Sequence, residues 1–178
     1  MLLIAATERE LDALDRVPGD RLVCGIGPVE AAAATARVLA DERPTAVLHV
    51  GIAGARGLEP LNLVIGSEAV YCDAAGPFVP ARARPDAGLL AGLQAAFPEA
   101  AVQPIGTSAR VGGTSVCQVE AMEGFAVLSA AQRAGVPAVE VRAVSNEIDE
   151  PDRARWRFDD ALAALDDALP RLLAELAR

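Results

Sequence analysis

The chain has no lysine: its sixteen basic residues are all Arg, they are outnumbered by twenty-five Asp and Glu, and the formal net charge is -9. A field of that sign repels nucleic acid and anionic membrane surfaces, so neither is expected as a partner, although a local Arg pocket is still possible. Cysteine is scarce. Cys24, Cys72 and Cys117 are odd in number and lack C-x-x-C spacing, which argues against a disulfide framework or a zinc site and points to a reducing cytoplasm. The one histidine, His49, sits inside the apolar run Val47-Leu48-His49-Val50 and reads as a hydrogen-bonded core residue, so no Ser-His-Asp or Cys-His arrangement can be assembled. The opening run Met1 to Ala6 has no basic flank and is too short for a signal or a membrane span; it reads as a first buried strand. No metal or cofactor is expected.

With 178 residues and no visible linker or internal repeat, the chain is expected to form one domain over residues 1–178. Short apolar runs alternate with Ala-rich helical stretches. Strands are predicted at Leu2–Ala6, Arg21–Cys24, Thr45–Val50, Leu61–Tyr71, Val102–Thr107 and Val136–Val144. Helices are predicted over Val29–Asp41, Asp86–Phe97 and Glu120–Ala134, and from Phe158 onward, where Leu162, Leu165, Leu169, Leu172 and Leu176 share a stripe. Pro28 suits a helix start, and Pro170 is expected to kink or split the last helix. Residues 74–85, rich in Pro and Gly, form the one irregular stretch and the candidate for a mobile lid. The alternation predicts an α/β fold of three layers, with a central mixed, mostly parallel sheet flanked by helices.

Two stretches carry chemistry. Val119-Glu120-Ala121-Met122-Glu123-Gly124 sets two carboxylates three apart at the start of a helical run, and Val141-Arg142-Ala143-Val144-Ser145-Asn146 ends an apolar strand on polar residues. Carboxylates at a helix start beside polar groups at a strand end suit a small polar ligand in the crevice of an α/β sheet. Gly25-Ile26-Gly27-Pro28 lacks the third glycine of a dinucleotide fingerprint and carries Glu30 at the helix start, which speaks against NAD; a tight turn accounts for it equally well. Gly51-Ile52-Ala53-Gly54 reads as a turn whose small residues also permit close approach of a ligand, at Ala53 and Gly54 above all. Glu8 and Glu10 suit a solvated helix start, and Arg153, Arg155 and Arg157 around Trp156 suit either a charged turn or an anion-binding rim.

These pieces, with Ala6-Thr7-Glu8-Arg9-Glu10, Gly25-Ile26-Gly27 and His49-Val50-Gly51-Ile52-Ala53-Gly54 in the same order, resemble the purine nucleoside phosphorylase and nucleosidase superfamily over nearly the whole chain. Within it the hydrolytic branch typified by methylthioadenosine/adenosylhomocysteine nucleosidase is similar, and the Val119–Val127 and Arg142–Asn146 stretches are most similar to the futalosine hydrolases of menaquinone biosynthesis. The resemblance implies an N-ribosyl hydrolase acting on a purine nucleoside. Glu10 would activate water with Arg142 helping to orient it, and Glu123 would grip the ribose hydroxyls beside Met122 and Glu120. Ser145 would bind substrate, Val111, next to Arg110, would lie beside the purine, and Phe158 near the 5' side of the sugar. Glu8 is a rival to Glu10 on spacing alone.

Asn146 stands where adenosine-directed relatives have Asp, and its amide can donate to a 6-oxo group, which implies hypoxanthine as leaving base. A mismatch at such a base-reading group would shift preference by roughly 2 kcal/mol or more. Futalosine carries hypoxanthine and also an aryl carboxylate, for which one of Arg153, Arg155 or Arg157 is a candidate partner. Ile52, where many relatives are polar, and the lack of an Arg beside Gly25-Ile26-Gly27 favour water over phosphate. Phosphorolysis, adenine-directed hydrolysis and non-catalytic nucleoside binding remain as alternatives, and a homodimer or larger assembly is expected.

Overall fold

Short apolar runs become strands and the Ala-rich stretches cover them in the computed structural model, which describes residues 1–14, 19–74, 76–114 and 116–178. Ala75, within the 74–85 stretch, lies outside the described residues. The chain order is β1 (Leu2–Ala5), α1 (Glu8–Asp12), β2 (Asp20–Val23), α2 (Pro28–Asp41), β3 (Val47–Ala55), β4 (Leu63–Tyr71), β5 (Arg82–Ala83), α3 (Ala87–Ala96), β6 (Ala101–Thr107), β7 (Val119–Ala121), α4 (Gly124–Ala134), β8 (Ala138–Glu147), a 3-10 turn (Arg153–Arg155) and α5 (Phe158–Leu176).

The sheet is mixed and mostly parallel, as expected: β1 pairs in parallel with β2 and β3, β3 with β8, β4 with β6, and β6 with β7. β3–β7, β4–β5 and β4–β8 are antiparallel. Because β3 pairs with both β7 and β8, and these lead through β6 and β4 to each other, the strands β3, β8, β4, β6 and β7 close a ring. A core cluster of Ala53, Ala55, Val64, Ile105, Val119, Ala121 and Val144 takes residues from every strand of that ring and contains small side chains where the strands converge. A second cluster packs α1, α3 and α5 on one side, with Leu11, Leu93, Leu165, Leu169 and Leu172 against Val139 and Val141. The third packs α2 and α4 on the other side through Ala31, Leu39, Val127 and Leu128.

Four local expectations are corrected. Gly51–Gly54 is not a turn: β3 runs on to Ala55, paired residue for residue with β8. Gly51 allows this because a Cβ there would lie 2.4 Å from Arg142 Nη1 and 2.6 Å from Glu10 Oε1. Glu120 is on a strand, not a helix, since its backbone pairs with Gly54 and Gly106, and α4 begins only at Gly124. The irregular 74–85 stretch contains β5, which extends the sheet beside β4. Pro170 does not split α5, which spans Phe158–Leu176; Pro removes one donor to the preceding turn, and buried Leu169 and Leu172 anchor the helix on both sides of it.

Candidate active site

A cavity of about 360 Å³ opens where β3, β7 and β8 leave the ring, beneath α1 and the start of α5. Its wall brings together Glu10, Ala53, Gly54, Val111, Glu120, Met122, Glu123, Arg142, Ser145, Asn146 and Phe158, each of them singled out by sequence. Glu8, the rival to Glu10, is exposed and outside it, as is Arg110. A larger groove of about 850 Å³ between α2 and α4 is lined mostly by apolar residues, Ala above all, and by no carboxylate, so the smaller cavity is the one equipped for chemistry.

Local rules of folding aim each group. Thr7 caps α1, accepting from the Glu10 N–H at 3.3 Å, and Glu10 Oε2 accepts in return from the Thr7 N–H and hydroxyl, both at 3.0 Å. This capping box fixes one carboxylate oxygen and leaves Oε1 facing the cavity, 3.4 Å from the Ile52 N–H. Glu123 precedes α4; its Oε1 accepts from the Gly27 N–H at 3.1 Å and its Oε2 lies 3.4 Å from Arg142 Nη2. Glu120 instead commits both oxygens to the 112–114 loop, accepting from the Gly112 N–H and, at 3.1 Å, from the Thr114 N–H. It thereby holds Val111 at the cavity.

Ser145 is an extra residue in β8, where the register with β3 slips between Ala53 and Gly54. Such a bulge turns successive side chains toward one side. Ser145 Oγ sits 2.7 Å from Asn146 Oδ1 and 3.2 Å from the Ala53 carbonyl, while Asn146 Nδ2 donates to the Glu147 carbonyl at 2.9 Å. One Nδ2 hydrogen is left to offer a ligand. Gly54 makes room for it, since a Cβ there would stand 3.1 Å from Nδ2.

Arg142, 1 % exposed, is the hub. Nε donates to Glu140 Oε1 at 2.8 Å, Nη2 to His49 Nε2 at 2.5 Å, and Nη1 reaches the Ile52 carbonyl at 3.5 Å. His49 Nδ1 lies 3.1 Å from the Ile4 carbonyl, so Nδ1 carries the proton and Nε2 accepts. Burial, and then the adjacent Arg142, push the His49 pKa well below its ordinary value, so it stays neutral. Burial raises the carboxyl of Glu123, opposed by Arg142 and the Gly27 N–H, and burial likewise raises Glu140 against the pull of Arg142. Although burial disfavours its charge, Arg142 is held above the ordinary Arg value by Glu140, Glu123 and Glu10. Burial and the nearby Glu123 lift the Cys24 thiol to about 12, so it is no nucleophile. Among the described residues no cluster of His, Cys, Asp or Glu is fit to hold a metal ion.

Sequence reasoning missed Thr7 and Glu140, and left Trp156 open between a charged turn and an anion-binding rim. The Thr7-x-x-Glu10 spacing is a readable capping-box signal, and Glu140-x-Arg142 on a strand puts both side chains on one face. Trp156 lines the cavity with Arg153, whose guanidinium lies 5.6 Å from its ring centroid.

The chain matches the model of the phosphorylase superfamily over residues 21–178. It is 35 % identical to a futalosine hydrolase of Streptomyces coelicolor over 190 residues, covering 89 % of this chain and 81 % of that one. To a futalosine hydrolase of Thermus thermophilus it is 47 % identical over 57 residues, 32 % of this chain and 25 % of the other. The solved futalosine hydrolase of Helicobacter pylori superposes with TM-score 0.86 at 16 % identity, over 98 % of this chain and 97 % of that one. The 5'-methylthioadenosine/S-adenosylhomocysteine nucleosidase of Neisseria meningitidis, in complex with methylthio-immucillin-A, does so with TM-score 0.78 at 24 % identity, over 99 % and 97 %. At these identities the superpositions speak for the fold, whereas the family model and the Streptomyces relative cover most of the sequence: this chain belongs to the phosphorylase superfamily.

Proposed function

We propose that the chain is an N-ribosyl hydrolase that cleaves futalosine, releasing hypoxanthine and dehypoxanthine futalosine. The observation that carries this reading is the pairing, in one cavity, of a buried carboxylate cluster with a single free amide donor: Glu10, Glu123 and Arg142 at one end, Asn146 Nδ2 at the other. Breaking the C1'–N9 bond develops positive charge on the ribosyl group and negative charge on the departing base. Glu123 accepts from the 2' and 3' hydroxyls beside Met122, setting its charge near the ribosyl cation. Glu10 Oε1 takes a proton from the water that attacks C1', while Arg142 keeps that carboxylate and Glu123 apart. Asn146 donates to the 6-oxo group, drawing the leaving electrons onto it before the base is protonated from water.

Futalosine also carries an aryl carboxylate. Arg155 pairs with Glu150 and Arg157 with Asp160, each at 2.9 Å, and neither lines the cavity. Arg153 lines it, packed on Trp156, and has no carboxylate partner among the described residues. We assign Arg153 to the substrate carboxylate, with Trp156 and Phe158 beside the aryl group. Replacing Arg153 by Ala should raise KM for futalosine and leave KM for inosine unchanged; an equal effect on both substrates overturns the assignment.

Homo-oligomerisation belongs to the same reading. Ile26 at the cavity is 62 % exposed and Val29 on the neighbouring groove is 75 % exposed, an apolar face suited to a second copy. Light scattering in solution tests it, with a dimer or larger species expected and a monomer contradicting it. The three free cysteines suit the cytoplasm, and no helix among the described residues is long and apolar enough to cross a membrane. The reaction is tested by release of free base from futalosine, inosine and methylthioadenosine, with and without phosphate. A need for phosphate would make the chain a phosphorylase.

A further inference from the structure

Glu140 is the buried charge that the mechanism above does not use. It is 0 % exposed on β8, two residues before Arg142, and touches no part of the cavity. One oxygen accepts from Arg142 Nε at 2.8 Å; the other, Oε2, has no hydrogen-bond partner. Oε2 lies against the start of α4, where a Cβ on Gly124 would come within 2.1 Å of it. Arg142 is thus held from behind by Glu140 on Nε and by neutral His49 on Nη2, while the same Nη2 reaches forward to Glu123 at only 3.4 Å. A guanidinium between carboxylates settles toward the stronger partners. The nearer ones here, Glu140 at 2.8 Å and His49 at 2.5 Å, are behind it.

We propose that Glu140 is a positioning residue that draws Arg142 back from Glu123, so that the ribose-binding carboxylate keeps its charge for the ribosyl cation. Without that pull Arg142 moves forward, pairs fully with Glu123 and offsets the charge that favours the transition state. The ribose hydroxyl bonds survive such a shift, so the loss falls on turnover rather than on ground-state binding. Gly124 belongs to the same device, because any side chain there displaces the Glu140 carboxylate.

The inference rests on the proposed roles of Glu123 and Arg142, and its test separates the two levels. Wild-type turnover of futalosine tests the parent reading. Glu140→Gln, which keeps an acceptor for Nε but loses the charge, tests Glu140. Its kcat should fall about 10- to 100-fold with KM within about threefold of wild type. The acid limb of the pH–kcat/KM profile should also move to lower pH. Glu123 is faced by Arg142, by the Gly27 N–H at the start of α2, by Glu10 on α1, by Cys24 after β2 and by Glu140 itself; bringing Arg142 closer and removing the Glu140 charge both favour the ionised form. Gly124→Ala should reproduce the loss in kcat, and should add nothing in a Glu140→Ala background. Affinity for a cationic iminoribitol analogue of inosine gives a readout independent of turnover: Glu140→Gln should weaken it by a similar factor while leaving inosine affinity unchanged. Unaltered kcat, acid limb and analogue affinity in a folded Glu140→Gln protein, with only the melting temperature lowered, would overturn the proposal.

Discussion

The floor and the rim of the cavity are built on opposite principles. On the floor Glu10, Glu123 and Arg142, and behind it Glu140 and His49, are all buried, mostly on or beside the closed strand ring, and each has its direction set by a backbone or side-chain partner. At and around the rim, Arg9, Arg153, Arg155 and Arg157 are exposed, and all but Arg153 pair with acids of the same surface. Buried pairs are unforgiving, because removing one partner strands a charge in low dielectric; exposed pairs are worth roughly 0–1 kcal/mol. Bond-breaking should therefore depend on the floor, and choice among 5' substituents on the rim.

The largest effects should come from breaking the floor. Glu10→Gln and Glu123→Gln should each lower kcat by roughly 10²- to 10⁴-fold, the range for a general base or for charge placed against a developing cation. Steady-state kinetics on futalosine checks this, and near wild-type turnover in either variant would remove that residue from the chemistry. Gly51→Ala reaches the same groups indirectly, since its Cβ would collide with both Arg142 Nη1 and Glu10 Oε1. Thermal melting should show about 1–3 kcal/mol of destabilisation, as for overpacked cores, together with a loss of activity.

Asn146→Asp sharpens the comparison, because it exchanges a donor for an acceptor at the base without touching the ribose end. Preference should swing from hypoxanthine toward adenine nucleosides by roughly 2 kcal/mol, about 30-fold in relative kcat/KM. Competition between futalosine and methylthioadenosine measures the swing.

A smaller effect concerns pH. His49 has a folded pKa well below its ordinary 6.5, so the unfolded chain binds its proton first, and the stability His49 contributes is present above about pH 6.5 and is lost as pH falls. Glu123 and Glu140 act in the opposite sense: with folded values raised above 4.5, they favour folding below their unfolded values and lose that favour as pH rises through the folded ones. Melting temperatures of wild type and His49→Gln, compared on going below about pH 6.5, isolate the His49 share; the variant should lose less. Smallest of all, Arg155→Ala and Arg157→Ala at the rim should leave KM for futalosine nearly unchanged, in contrast to Arg153→Ala.

The same division explains what could be read from sequence. The rhythm of strands and helices, the Leu stripe of α5 and the cavity residues follow from local patterns and from a family resemblance carried by short motifs. Ring closure could not be read, because the antiparallel β3–β7 contact joins residues far apart in sequence through a strand of only three residues. The Gly51–Gly54 run reads as a turn because glycine usually marks one; here it marks a strand whose neighbours press too close for a side chain. Glu120 and Glu123 look equivalent on spacing. Only the fold separates a loop anchor from the proposed ribose ligand, by sending Glu120 to the Gly112 and Thr114 amides and Glu123 to Gly27 and Arg142. Rim assignments were least legible, since three neighbouring Arg differ only in which acids the folded surface brings to them.

The measurement that bears most directly on the account is chromatography of the products formed when the purified protein is incubated with futalosine in phosphate-free buffer. The account predicts free hypoxanthine, at a rate that added phosphate does not change. Release of adenine from methylthioadenosine with futalosine left intact would contradict it, as would release of hypoxanthine only when phosphate is supplied.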